Sequence, residues 1–178
     1  MRTPRQAART VVVDPDGAVF LLRSENVEVG PHWCPPGGGL DPGESPEEGA
    51  RRELREETGW EDLEPEALLC TWEHDFTRHG VPVRQHEHVY LARGPRRGPL
   101  GDVSQAHAVD RILAWRWWSP EDLADRDAEP LWPPTLPALV EAVRTAWAAG
   151  RPGPSPAHLG YLPNPPGAPA PARPSSGG

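Results

Sequence analysis

The chain has 178 residues and a mass of 19.5 kDa, with 18 Arg plus Lys against 26 Asp plus Glu, a formal charge of −8 and a sequence pI near 5.3. That length suits one domain with its own core, and a net negative field repels phosphate, which argues against nucleic acid or an anionic membrane as a partner. No run approaches the ~18 apolar residues of a membrane span, the basic N-terminus lacks an apolar h-region, and two cysteines, Cys34 and Cys70, have no metal-type spacing, so a reduced, cytoplasmic protein is expected.

The first regular element is Thr10 to Val13, which leaves residues 1–9 as a flexible lead-in. Turn residues Asp14-Pro15-Asp16-Gly17 and the apolar run Ala18 to Arg23 complete a β-hairpin. His32-Trp33-Cys34 is a short strand that Pro35-Pro36-Gly37-Gly38-Gly39 must stop. Ser45-Pro46-Glu47-Glu48 then has the form of a capping box with proline at the first helical position, and Gly59 follows Thr58 as a stop, so the spacing predicts a helix over 45–58. Two β-rich runs, Ala67 to Asp75 and Val81 to Ala92, flank Arg78-His79-Gly80 as a second hairpin.

Another strand is expected from Ile112 to Trp118, and Ser119-Pro120-Glu121-Asp122 repeats the cap-proline-acid logic for a short helix. Leu136, Leu139, Val140, Val143 and Trp147 form one helical stripe ended by Gly150. Nine of the 25 prolines fall in residues 151–178, whose large apolar side chains are only Leu159, Tyr161 and Leu162, so this stretch reads as a disordered Pro/Gly/Ala-rich tail. The folded domain is thereby placed at 10–150. Its class is α+β or mixed α/β, a mixed sheet packed between helices.

The chemistry concentrates in the helix at 45–58. At ~100° per residue, Glu53, Glu56 and Glu57 share a wedge about 100° wide, with Ala50 and Leu54 beside it, so the acids border a buried face. Residues 44–66 hold ten acids against three arginines, nearly the whole chain's excess. Like charges at i, i+3 and i+4 repel. Carboxylate oxygen gathered at a cleft margin is what a hard cation such as Mg²⁺ or Mn²⁺ prefers. The glycines Gly37, Gly38 and Gly39 would let backbone approach a metal or phosphate.

Gly38, five residues, Glu44, seven residues, then Arg52-Glu53-Leu54-Arg55-Glu56-Glu57-Thr58-Gly59-Trp60 resembles the Nudix box, G-x5-E-x7-R-E-U-x-E-E-x-G-U with U a bulky apolar residue. Every fixed position matches, with an aromatic at the last U. The resemblance implies an α/β/α sandwich with a mixed sheet that hydrolyses a nucleoside diphosphate linked to another group X. It implies that Glu53, Glu56 and Glu57 bind the metal, that Arg52 orients a carboxylate, and that Glu44 supports the site. The implied partner is a small-molecule nucleotide, with the oligomeric state open, a homodimer included. The rival reading is a non-catalytic module on the same fold that senses a nucleotide derivative.

The general base is one of the helix glutamates, Glu53 first, or a further acid from a later element: Glu73, Asp75, Glu87, Asp102 or Asp110. Glu87 is favoured, because His86-Glu87-His88-Val89-Tyr90 has the character of an internal strand in which an unpaired carboxylate is costly. Trp33 is a partner for a nucleobase or a packing residue, and Arg96-Arg97 a phosphate grip or a solvated pair.

Overall fold

The computed structural model describes residues 1–164. Eight strands join into one mixed sheet: β1 (Thr3–Val13), β2 (Val19–Asn26), β3 (Gly30–Cys34), β4 (Gly37–Gly39), β5 (Ala67–Arg78), β6 (Val81–Arg93), β7 (Ile112–Trp118) and β8 (Ala157–Tyr161). The helices are α1 (Pro46–Thr58), α2 (Ser104–Asp110), α3 (Pro120–Ala124) and α4 (Leu136–Ala148). Among the described residues no helix is long and apolar enough to cross a membrane.

The main path runs β3-β2-β1-β6-β5-β8, with β4 pairing β1 and β7 pairing β2. β1 and β6 lie parallel from Thr3 opposite Val83 to Val13 opposite Arg93. On its other edge β1 meets β2 only at Val13–Val19, and β4 at Ala7 to Arg9. β1 and β2 therefore separate, and the cleft described below opens beside that split.

Strand alternation divides the core in two. Val11 and Val13 join Leu21, Leu69, Val89 and Leu91 under the Leu136, Val140 and Val143 stripe of α4, whereas Val12 joins Phe20, Leu22, Trp60 and Ala92 under Leu54 of α1. The result is the sandwich of mixed sheet between helices that the box implied. α1 starts and stops on the expected signals. Ser45 Oγ accepts from the Glu48 N–H, the Glu48 side chain accepts from the Ser45 N–H, and Gly59 adopts φ 70° while donating to Arg55 O.

Both chain ends depart from the sequence reading. Residues 1–9 are not a flexible lead-in, because from Thr3 onward they are the first part of β1. A neighbouring strand supplies the hydrogen bonds, and Ala7, Ala8 and Arg9 are buried. The tail expectation for 151–178 is corrected in its first half: Ala157–Tyr161 pairs in parallel with the edge of β5, and Leu159 and Leu162 pack on the core. Residues 165–178, the rest of that expectation, lie outside the described residues.

Candidate active site

The acid wedge of α1 is turned toward the sheet. Glu53 and Glu57 are 6% and 2% exposed, while Glu56 stands at the rim with about half its side chain in solvent. Arg52 organises the outer side. Its guanidinium donates to both Glu44 oxygens at 2.8 Å, to Glu53 Oε1 at 2.9 Å, to Glu56 Oε2 at 3.3 Å and to Gly39 O at 3.0 Å. On the inner side the Gly37 N–H donates to Glu57 Oε2 at 2.8 Å.

The glycines act by making room. A β-carbon at Gly38 would stand 2.6 Å from Glu53 Oε1, and one at Gly37 would overlap the Ala8 carbonyl and the Arg9 side chain. Backbone and carboxylate can lie against each other only because neither position bears a side chain.

Asp110 completes the cluster. Glu53, Glu57 and Asp110 each offer a carboxylate oxygen, all within 4.8 Å of one another. Burial, then repulsion from Glu53 and Asp110, pushes the Glu57 carboxyl well above the usual carboxylate range, with Arg9 and the Gly37 N–H offsetting only part. Burial also raises Glu53, against the pull of Arg52. Negative oxygens gathered in this way fit a hard divalent cation. Glu56, expected as a third helix ligand, lies outside this three-acid group.

Asp110 arrives on α2, a helix the sequence did not signal: it buries no residue and has no side-chain cap. His107 Nε2 donates to Glu57 O at 2.8 Å and so fastens α2 to the end of α1. The available clue was the short list of later-element acids, which included Asp110 without ranking it.

Glu87, favoured by the sequence as the base, has a different setting from the α1 acids. It is on an internal strand and wholly buried, but its oxygens are committed: Arg9 Nε donates at 2.8 Å, His74 Nε2 at 3.0 Å and Gln85 Nε2 at 2.6 Å. Burial alone would raise its pKa, yet Arg9, then His74 and Gln85, hold it well below the carboxylate range. A carboxylate so stabilised is a poor proton acceptor. The register explains the pairing, since Ala7 lies opposite Glu87 and Arg9 is two residues along on the same face of β1.

Of the two readings of Trp33, the contacts observed are those of packing. Its indole N–H donates to Glu129 at 2.9 Å and its ring meets Trp118 edge-on. Its neighbours His32 and Cys34, on the opposite strand face, line a cleft of about 250 Å³ instead. Burial pushes the His32 imidazole down to about 4, and its ring stacks on Trp132 at 3.7 Å. Arg9, Gly37, Gly38, Glu57 and Asp110 border the same cleft, so Glu57 and Asp110 face an open volume.

The NUDIX domain family model matches residues 3–139. This chain belongs to the NUDIX family. An uncharacterized Nudix hydrolase of Rhodococcus erythropolis is 33% identical over 110 residues, a match covering 58% of this chain but only 55% of that relative's length. An RNA pyrophosphohydrolase of Erythrobacter litoralis is 31% identical over 133 residues, covering 67% of this chain and 78% of the relative. Among solved structures, a MutT NUDIX hydrolase from Burkholderia pseudomallei superposes with a TM-score of 0.56 at 30% identity, over 79% of this chain and 98% of that one. The start of the NUDIX match at residue 3 agrees with a domain that begins at β1 rather than at Thr10.

Proposed function

We propose that this Nudix chain hydrolyses the pyrophosphate bond of a nucleoside diphosphate linked to another group, with Mg²⁺ or Mn²⁺ held by Glu53, Glu57 and Asp110. The observation that carries the reading is the convergence of those three carboxylates within 4.8 Å beside an open cleft. A divalent cation bound there supplies charge neutralisation and Lewis-acid polarisation of the anhydride oxygens.

The protein's own groups do the rest. Arg52 fixes Glu53 through one carboxylate oxygen, leaving the other for the cation, and Glu44 clamps Arg52 from behind. Glu56, tied to Arg52 at the rim, adds negative charge and completes the wedge from outside. Gly37 orients Glu57, and the bare strand Gly37–Gly39 lets a phosphate approach the backbone. The products are a nucleoside monophosphate and phosphorylated X.

The test is turnover of a panel with and without Mg²⁺ or Mn²⁺: nucleoside triphosphates, nucleotide sugars, ADP-ribose, dinucleoside polyphosphates, and a 5′-triphosphorylated oligonucleotide suggested by the Erythrobacter relative's name. Cation-dependent monophosphate release, abolished in Glu57→Gln, is expected. Tight binding without turnover across the panel would instead mark a sensing module.

A further inference from the structure

The described part of the chain has several arginines without an ion pair, and three of them, Arg5, Arg78 and Arg111, line the same cleft as the acid cluster. They come from different elements: Arg5 from β1, Arg78 from the end of β5, and Arg111 from the junction of α2 and β7, where it takes φ 54°. By contrast Arg96 and Arg97, the pair that the sequence suggested for a phosphate, are engaged by Asp14 and Asp62.

Arg5 is the anchor of the group. Its guanidinium bonds Gln85 Oε1, an uncharged acceptor, and lies against Gly39 so closely that a β-carbon there would overlap it. Burial, with repulsion from Arg78 next, holds it down at about 10. A partly desolvated cation facing like charges is disfavoured unless an anion answers it. Its neighbour Arg9, buried where Arg5 is only half-buried, has that answer in Glu87. Arg5 has no ion pair among the described side chains: Glu87, already bonded to Arg9, attracts it without contact, and Asp110 attracts it less. Three guanidiniums without an ion pair among the described residues thus line the cleft that Glu57 and Asp110 also border.

We propose that Arg5, Arg78 and Arg111 form a subsite for a terminal phosphate on group X, beyond the diphosphate that is cut, so that the enzyme favours phosphate-ended substrates over neutral X. The inference rests on the pyrophosphohydrolase reading and narrows it. Guanidinium forks match phosphate oxygens two at a time, which suits a phosphate end better than a sugar hydroxyl. For a nucleoside triphosphate, water adds to the α-phosphorus, the α–β anhydride bond breaks, and pyrophosphate leaves with the terminal phosphate in this subsite.

The experiment compares one nucleoside in three forms: its triphosphate, its diphosphate hexuronate and its diphosphate hexose. With the subsite present, kcat/KM is highest for the triphosphate, and the triphosphate-to-hexose ratio falls about tenfold in Arg78→Gln and in Arg111→Gln, mainly through KM. Arg96→Gln is the control whose ratio does not move. A ratio unchanged in both cleft variants, or a hexuronate preferred over the triphosphate, overturns the proposal. A second arm reads the subsite without turnover, using tripolyphosphate in the absence of divalent metal. It should raise the melting temperature of the native chain and raise it much less in the Arg78→Gln, Arg111→Gln double variant. Loss of all turnover with that shift intact refutes the hydrolase reading and keeps the subsite, whereas turnover with no such difference does the reverse.

Discussion

Two glutamates thirty positions apart, Glu57 on α1 and Glu87 on β6, are both buried, and their proton affinities move in opposite directions. Glu87 has a matched cation at 2.8 Å and two further donors. Glu57 has a single backbone N–H at 2.8 Å and two other acids for neighbours. Burial therefore does not distinguish a working carboxylate from a structural one. The balance of charge around it does: where cations match acids the pair holds strands together, and where acids outnumber cations the protein is left with a demand for an external ion.

The largest expected effect separates the two directly. Glu57→Gln should lower kcat by on the order of 10³-fold, as removal of a preorganised electrostatic group does. It should leave the metal-free melting temperature unchanged or higher, because an uncompensated buried charge disappears. Steady-state kinetics with calorimetry checks both, and a large drop in melting temperature would erase the contrast.

Glu87→Gln should behave in the opposite sense, costing about 3–5 kcal/mol of stability by leaving Arg9 buried and unpaired. The pH dependence follows from its depressed pKa. Glu87's contribution is fully present above the ordinary carboxylate value and is lost as pH falls through the lower, folded-state value. Urea unfolding across the acid range should show the native chain losing stability there, with the Glu87→Gln curve flatter over that window. A variant of native stability but without activity would return Glu87 to the catalytic list.

A smaller effect probes how the acid-rich side is assembled. His107 ties α2 to Glu57 O and thereby holds Asp110 beside the helix acids. His107→Ala should weaken Mn²⁺ binding by about 10–100-fold, the usual scale for groups that orient ligands from behind. His107→Gln, which keeps a donor, should recover most of it. Titration followed by the Mn²⁺ paramagnetic signal reads this independently of fold stability.

The contrast also explains what the sequence could reveal. α1 was legible to the residue because its cap, its proline, its stop and its acid wedge are all encoded within fifteen consecutive positions. The Glu87 pairing was not, because it depends on the parallel register of β1 against β6, about eighty residues away, and β1 itself was read only from Thr10. The short α2 lacks an apolar stripe and a cap, so Asp110 remained one acid among several. Arg5 was hidden for the same reason as β1: a basic, proline-containing lead-in becomes a strand only when a partner strand lies beside it.

The smallest effect tests whether the structural side can be loosened without touching the catalytic one. β8 runs beside β5, the strand that presents His74 to Glu87. Thr71 Oγ1 meets His158 Nδ1 at 2.8 Å, and the Leu162 N–H donates to Glu73 O at 2.9 Å. None of these contacts reaches α1 or α2. Ending the chain at Gly150 removes the half-buried Leu159 and Leu162, a loss of about 2 kcal/mol by the apolar surface they cover. The melting temperature should fall by several degrees relative to a chain ending at Asn164, at about 2–4 °C per kcal/mol. At a temperature where both forms are folded, kcat should agree within about twofold, since the acids keep their supports. A fall in kcat well beyond that would mean that β5 and the acid cluster are mechanically coupled through Glu87 and Arg9, and that the two glutamates are parts of one device.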